Sequence, residues 1–439
     1  MRLAGRASAA IEVLTDLDAR RRPASLALKD WGLAHRFAGS GDRAAIGNLV
    51  FDSLRKRASL AHVMETEDPR AIVLCTLKTT WGLSLDDLAV LCDGSRFAPA
   101  PLSDEEQGRL VRALPEDAPA AIQGNYPAWL DSAFSSTFGA HAAAEGAALA
   151  ERAPVDLRVN TLKASRDKVL KALARFDPSP TQYSPLGVRV AAPHGPARSP
   201  HLEADAGHGK GWFEVQDEGS QIAALMSGVG PRAQVLDLCA GAGGKTLALA
   251  SAMENTGQLY AYDADRLRLR PIFERLKRAG VRNVQVLEGG EAKALDALHG
   301  KLDMVVVDAP CTGSGTWRRR PDAKWRLTPE MLEARLAEQA AVLEQGAPLV
   351  KSGGRLVYIT CSVLPQENRD QVAGFLTRHP DFAIKPWREA WNEIGGEIEG
   401  NTAPAAAPNS ADGSEETLLM TPRSHGTDGF FIAVLKRNA

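Results

Sequence analysis

The chain has 439 residues, too many for one ordinary core, so two or three domains are expected. Hydrophobic residues make up 44% and charged residues 24%, the balance of a water-soluble globular protein, and no apolar run approaches the ~18 residues of a membrane span. A formal net charge of −2 advertises no general affinity for nucleic acid, so any such surface must come from local clusters.

The opening "MRLAGRASAAIEVLTDLDARRRP" is interrupted by Glu12, Asp16 and Asp18 and does not read as a secretory signal. Residues 1–120 show helical periodicity, with Leu3, Ala7, Ala10, Ile11, Leu14 and Leu17 on one face and Ile46, Leu49, Val50, Phe51 and Leu54 on another. This stretch is expected to be an all-helical domain. A Pro- and Ala-rich passage near 115–126 marks its end. Residues 121–215 mix a helical stretch from Tyr126, a short strand in "DLRVNTLK" and a helix in "SRDKVLKALARF", which predicts a small α+β connecting subdomain. From 216 to 439 strand and helix alternate, with strands placed at 234–238, 258–263, 284–288, 303–308, 355–360 and 430–436. That alternation predicts an α/β domain with a parallel, doubly wound, Rossmann-like sheet and ligands at the carboxyl ends of its strands. The segment 401–416 is poor in bulky apolar residues and is expected to be a mobile loop.

"VLDLCAGAGGKT", Val235–Thr246, combines two nucleotide-binding signatures and completes neither. A P-loop needs a glycine five residues before Gly244, where Cys239 stands; the dinucleotide pattern fits Gly241 and Gly243 but finds Thr246 at its third glycine. What survives is a buried strand ending in Asp237 and a glycine loop opening a helix, where backbone N–H groups can approach a ligand. The next strand ends in Asp263, at the distance where an acidic residue accepts ribose hydroxyls. The loop alone does not separate S-adenosylmethionine from NAD.

Five widely spaced cysteines, with no Cys-x-x-Cys and no His pair at ligand spacing, point to a reducing compartment, the cytoplasm, and to no metal site. Cys75 and Cys92 fall in helical segments and are expected to be inert packing residues. Cys311 and Cys361 differ. "LDMVVVDAPC" and "GRLVYITC" each bring a thiol to a strand end, so the topology that carries Asp237 and Asp263 to a ligand brings these two near it and near each other. A thiol beside a methyl donor suits one reaction well. Thiolate addition to carbon 6 of cytosine makes carbon 5 nucleophilic, and a second thiol can serve the later release. Asp308 is placed to stabilise charge developing on ring nitrogen 3. Hydride transfer to NAD explains neither cysteine.

"LDLCAGAGGKT", "DAPCTGSGTWRRRPDAKW" and "YITCSVLPQEN" together resemble, in order and spacing, the motifs of the RNA cytosine-5 methyltransferase family with two active-site cysteines. "FEVQDEGSQ", "LRVNTLK" and "DGFFIAVL" extend the resemblance over residues 126–439, and the helical N-terminal region is more weakly similar to the NusB-like RNA-binding domain. The resemblance implies a class I methyltransferase domain that binds S-adenosylmethionine through Cys239, Ala240, Gly241, Ala242, Gly243, Gly244 and Lys245, with Asp263 on the ribose, Arg268 following and Asp308 nearby. It implies that Cys361 is the nucleophile and that Cys311 assists release, a choice that spacing leaves open. The family's usual acidic residue near the adenine is replaced by Gly290, so that either Glu288 or Glu291 supplies the contact or the adenine is held by backbone and apolar contacts only.

The implied substrate is RNA, 16S rRNA first and tRNA as the alternative, acted on by a monomer; a non-catalytic ribosome assembly factor is the reading from another class. "TWRRRPDAKWR" (316–326) beside the proposed base pocket is expected to hold RNA, Trp317 or Trp325 by stacking and Arg318, Arg319, Arg320, Lys324 and Arg326 through the backbone phosphates. Arg20–Arg22 and Arg55–Arg57 are further basic clusters, and Arg158 and Asn160 either face RNA or serve a structural role at a strand edge. His425 and Asp428 are assigned no chemistry.

Overall fold

A computed structural model of the protein describes residues 1–287, 293–394 and 407–438. The chain packs into two compact units, which divide it at points other than the boundaries expected near 120 and 215. The first holds Met1–Ala153, Ala192–Pro200 and Trp317–Leu327; the second holds Pro154–Ala191, His201–Thr316 and Thr328–Ala439.

The first unit is helical. Helices Leu3–Arg20, Ser40–Arg55 and Pro69–Thr79 turn their apolar faces inward, burying Ala10, Leu14, Ile46, Leu49, Val50, Leu74 and Leu77 together. Each fully buried Leu or Ile contributes ~1.5–3 kcal/mol, which is where this unit's stability comes from. The starts are capped as the sequence dictates: Asp68 accepts from the N–H groups of Arg70 and Ala71, and Ser84 and Ser103 form capping boxes with Asp87 and Glu106. Cys75 and Cys92 are buried in this unit. Its basic clusters are largely neutralised. Arg22 pairs with Asp16 and Asp30, Arg57 with Asp18 and Glu67, and Arg55 with Asp52.

The segment Trp317–Leu327 corrects an expectation. Trp317 is buried and lies parallel to Phe134, with ring centroids 6.1 Å apart, so it presents no face for a base. Lys324 is fully buried, and its Nζ donates to the carbonyls of Arg55 at 2.7 Å and Asn125 at 2.6 Å. Arg318 is buried too, and its carbonyl accepts from Arg55; Trp325 Nε1 donates to Leu54 O at 2.6 Å. A basic run beside a base pocket reads as RNA-binding until the carbonyls able to receive it are known, and those belong to residues far away in sequence. Replacing Lys324 by Ala removes the donor of two carbonyls and leaves a void; we expect a loss of about 2–4 kcal/mol in stability, measured by chemical denaturation.

The second unit contains two sheets. In the smaller, strands β1 (Val155–Val159), β2 (Ser179–Pro180), β3 (Gly187–Val190) and β4 (Phe213–Val215) pair antiparallel in the order β2-β3-β1-β4. Arg158 and Asn160 resolve to its interior: Arg158 donates to Gln216 Oε1, and Asn160 Nδ2 donates to the carbonyls of Gly211 and Ala279. Both are buried.

The larger sheet contains β5 (Gln234–Asp237), β6 (Gln258–Ala261), β7 (Val284–Val286), β8 (Leu302–Asp308), β9 (Val350–Thr360), β10 (Phe382–Lys385), β11 (Leu418–Met420) and β12 (Phe430–Arg437). Its order is β10-β12-β9-β8-β5-β6-β7, with β11 also paired to β12. β5 to β9 are parallel, as the alternation predicts, but β12 runs antiparallel to β9, and β10 and β11 are antiparallel to β12. The sheet is therefore mixed. Periodicity reports burial, not direction, and β10 and β11 are too short to show alternation. Of the expected mobile loop at 401–416, residues 401–406 lie outside the described residues; beyond them Asp412 accepts from Ser410 Oγ and Ser414 N in an ordered turn.

Candidate active site at the strand ends

The parallel core levels its carboxyl ends. Asp237 pairs with Ala261 on one side and Val306 on the other, and Asp308 pairs with Ile359. Beyond β8 the backbone stays tied to β9 through Ala309 N, which donates to Ile359 O at 2.8 Å. Two residues further stands Cys311, and one residue beyond the end of β9 stands Cys361. Their sulfur atoms are 3.3 Å apart, and both residues are partly exposed. The hydrogen bond to Cys361 pushes the Cys311 thiol well above its ordinary range, with desolvation and the nearby Glu367 charge adding to it.

Across the same strand ends, Gly241–Gly244 turns into helix Gly244–Ala252. Gly243 has φ 86°, and a Cβ there would stand 2.6 Å from Ile272 Cγ1, so only glycine lets this turn close on its neighbour. Gly241 N donates to Asp263 Oδ2 at 2.9 Å, which fixes the acidic residue beside the loop; Arg268 lies 3.9 Å from that oxygen. Cys239 is partly exposed, with its thiol pushed up by burial and by Asp237, Asp263 and Asp308; Ala240 is buried, and Ala242 O accepts from Arg275. Lys245 is buried, and its ammonium meets Asp308 at 3.2 Å and Ser220 Oγ at 2.8 Å and lies over the Phe430 ring. The structure thus joins Lys245 to Asp308, although the sequence offered them as members of separate motifs. Asp308 is about one-third exposed, where an incoming ring could reach it.

Asp237 is buried, accepts from Thr246 Oγ1 at 2.6 Å through Oδ2, and has no partner on Oδ1 among the described residues. Burial, with the Asp308 charge adding, raises its carboxyl to about 7, against the Thr246 hydroxyl, which lowers it. Glu367 was not singled out in the sequence. It is buried, and accepts from Thr312 N, Thr312 Oγ1, Ser362 Oγ and Gln339 Nε2. Its place six residues after Cys361 in "TCSVLPQEN" was the available signal. His425 and Asp428 are buried; His425 accepts from Thr421 N, and Asp428 N donates to Asp217.

A family model described as "16S rRNA methyltransferase RsmB/F" matches residues 228–436, and a second, "Methyltr_RsmF/B-like, ferredoxin-like domain", matches 126–195. A probable ribosomal RNA small subunit methyltransferase B from Synechocystis is 34% identical over 337 residues, 76% of this chain and 71% of that protein. The chain belongs to the RsmB/F family. The ribosomal RNA small subunit methyltransferase B of Sodalis glossinidius is 35% identical over 69% of this chain and 66% of its own length. In three dimensions, NSun6 from Pyrococcus horikoshii, solved with SFG, is similar with a TM-score of 0.60 and 23% identity over 71% of this chain and 98% of the other, a likeness of fold.

As an RsmB/F member the protein is a methyltransferase that uses S-adenosylmethionine. The residues present fit that cofactor. An unpartnered, buried carboxylate oxygen on Asp237 suits a cationic ligand, and Asp263, anchored by Gly241, keeps lone-pair capacity for hydroxyl donors. Gly290 and the two glutamates weighed for the adenine, Glu288 and Glu291, lie outside the described residues.

Asp237 holds its proton more tightly folded than unfolded, so its contribution to stability declines as pH rises from about 4 through about 7. A cation bound beside Oδ1 reverses the preference. At pH 6.5 the binding of S-adenosylmethionine is expected to release a proton, visible in titration calorimetry as heats that vary with buffer ionisation enthalpy; Asp237→Asn removes that variation.

Proposed function

We propose that the protein methylates carbon 5 of a cytosine in small-subunit ribosomal RNA, acting as a monomer in the cytoplasm. The observation that supports this reading best is the pair of thiols 3.3 Å apart beside the glycine loop. When bound, S-adenosylmethionine supplies an electrophilic methyl group. The chain's own residues must make carbon 5 of the base nucleophilic enough to take it.

In this reading Cys361 adds as thiolate to carbon 6, forming a carbon–sulfur bond and sending the ring's electron pair toward nitrogen 3. Asp308, held by Lys245, accepts from the protonated nitrogen 3 and stabilises the charge there. With the methyl group in place, the carbon-5 proton leaves, the carbon 5–carbon 6 double bond re-forms, and the Cys361 sulfur is expelled; Cys311, in contact with that sulfur, assists this release. Cys239 to Lys245, Asp263 and Arg268 hold the cofactor. A target inside a duplex must be flipped out before a thiol can reach carbon 6.

Cys311→Ala is expected to accumulate a covalent protein–RNA adduct in the presence of cofactor, seen as a shifted band on a denaturing gel, whereas Cys361→Ala forms none. The reverse pattern exchanges the two roles, and no adduct from either overturns covalent catalysis. Bisulfite mapping of total RNA from a deletion strain reads the substrate: a cytosine losing protection in 16S rRNA supports the proposal, and one in tRNA overturns that assignment.

A further inference from the structure

Two turns must hold their sulfur atoms at one spot, yet each hangs beyond the end of its own strand. Sheet hydrogen bonds stop at Ala309 on one side and at Thr360 on the other. What fixes the turns lies behind the thiols. Glu367 receives Thr312 N at 2.7 Å and Gln339 Nε2 at 2.9 Å on Oε1, and Thr312 Oγ1 at 2.5 Å and Ser362 Oγ on Oε2. Thr312 follows Cys311 and Ser362 follows Cys361. One carboxylate thus grips the residue after each thiol. Gln339 also donates to Pro310 O at 2.9 Å, so the turn is held on both sides of Cys311.

The surroundings make this grip stiff. Ser314 and Ser362 hydroxyls lie 2.9 Å apart, Gly315 N donates to Cys361 O at 3.0 Å, and Gly429 N donates to Gly315 O at 2.8 Å. A Cβ on Gly315 would fall 2.2 Å from Gly429 O, which shows how closely these backbones approach. Glu367 itself rests on a bridge: Tyr358 OH donates to its carbonyl at 2.7 Å, and the next residue, Asn368, accepts from Thr360 and donates to Ser362 O. With four donors on its two oxygens, the carboxylate is fully occupied by the groups that hold the turns. Its work is placement.

We propose that Glu367 is a positioning residue for the thiol pair, clamping the Cys311 and Cys361 turns so that the two sulfurs meet at one point above the sheet. The proposal deepens the methyltransferase reading and rests on it for its purpose, but its test needs no RNA. The same charge helps Cys311 keep its proton beside Cys361, a second, electrostatic consequence of the clamp.

Two substitutions separate the parts. Glu367→Gln can keep the shape, since the Thr312 and Ser362 hydroxyls can rotate to accept from the new amide, and so removes mainly the charge. Glu367→Ala, or the milder Thr312→Val should Glu367→Ala not fold, removes part or all of the grip. Diamide, a two-electron oxidant reduced to its hydrazine, joins Cys311 and Cys361 as a disulfide when the thiols meet. The grip-deficient variant is expected to cross-link on the order of tenfold more slowly than the parent. Glu367→Gln is expected to move the pH profile of Cys311 alkylation, followed by peptide mass spectrometry, to lower pH. The thermal shift given by S-adenosylhomocysteine should be unchanged in every folded variant. Parental cross-linking rates in a folded grip-deficient variant, together with a parental alkylation profile in Glu367→Gln, overturn the proposal. Altered thiol behaviour in a protein that methylates no RNA would instead leave the clamp standing and remove the reaction assigned to it.

Discussion

The pairing of β8 with β9, which sets Asp308 opposite Ile359, is the constraint from which the site follows. Both strands are buried through their central runs, Met304–Val307 and Leu356–Thr360, so their register is specified from two faces at once. A slip of one residue would turn every side chain to the opposite face, and with them the chain leading into each cysteine. The apolar strands that carry no chemistry are therefore what make the chemistry possible. They deliver an Asp, two thiols and a glycine turn to one edge, and the loops need only hold what arrives.

Charge within that crevice is arranged unevenly. Asp308 has a buried ammonium in contact, whereas Asp237, on the neighbouring strand, has a hydroxyl on one oxygen and, among the described residues, no partner on the other. The first carboxylate is compensated by the chain itself. The second is left for a ligand to compensate, which makes cofactor binding and the charge state of the protein parts of one equilibrium.

Much of this was legible in the residues. The strand-ending pattern placed Asp237, Asp263, Asp308, Cys311 and Cys361 at one edge, because in a parallel sheet the order of elements almost dictates where their carboxyl ends lie. Their neighbours were not legible. That Lys245 would reach Asp308, or that Glu367 would hold both thiol turns, depends on side chains meeting across loops, and no periodicity encodes such meetings. The basic run after Cys311 was misread for the opposite reason: its composition and place suggested RNA, while the carbonyls of Arg55 and Asn125, which take in Lys324, are invisible until the chain is folded. β10 and β11 escaped because three or four residues cannot display an alternation.

That same run has an implication for how such a protein can be inherited and altered. Trp317 to Leu327 follows the DAPC motif in the chain, yet completes the interior of the helical unit. Excising residues 1–153 would not liberate a self-sufficient remainder, because the indole of Trp317 and the amine of Lys324 would lose their surroundings together. Replacing the helical part by another module would consequently have to carry this peptide along.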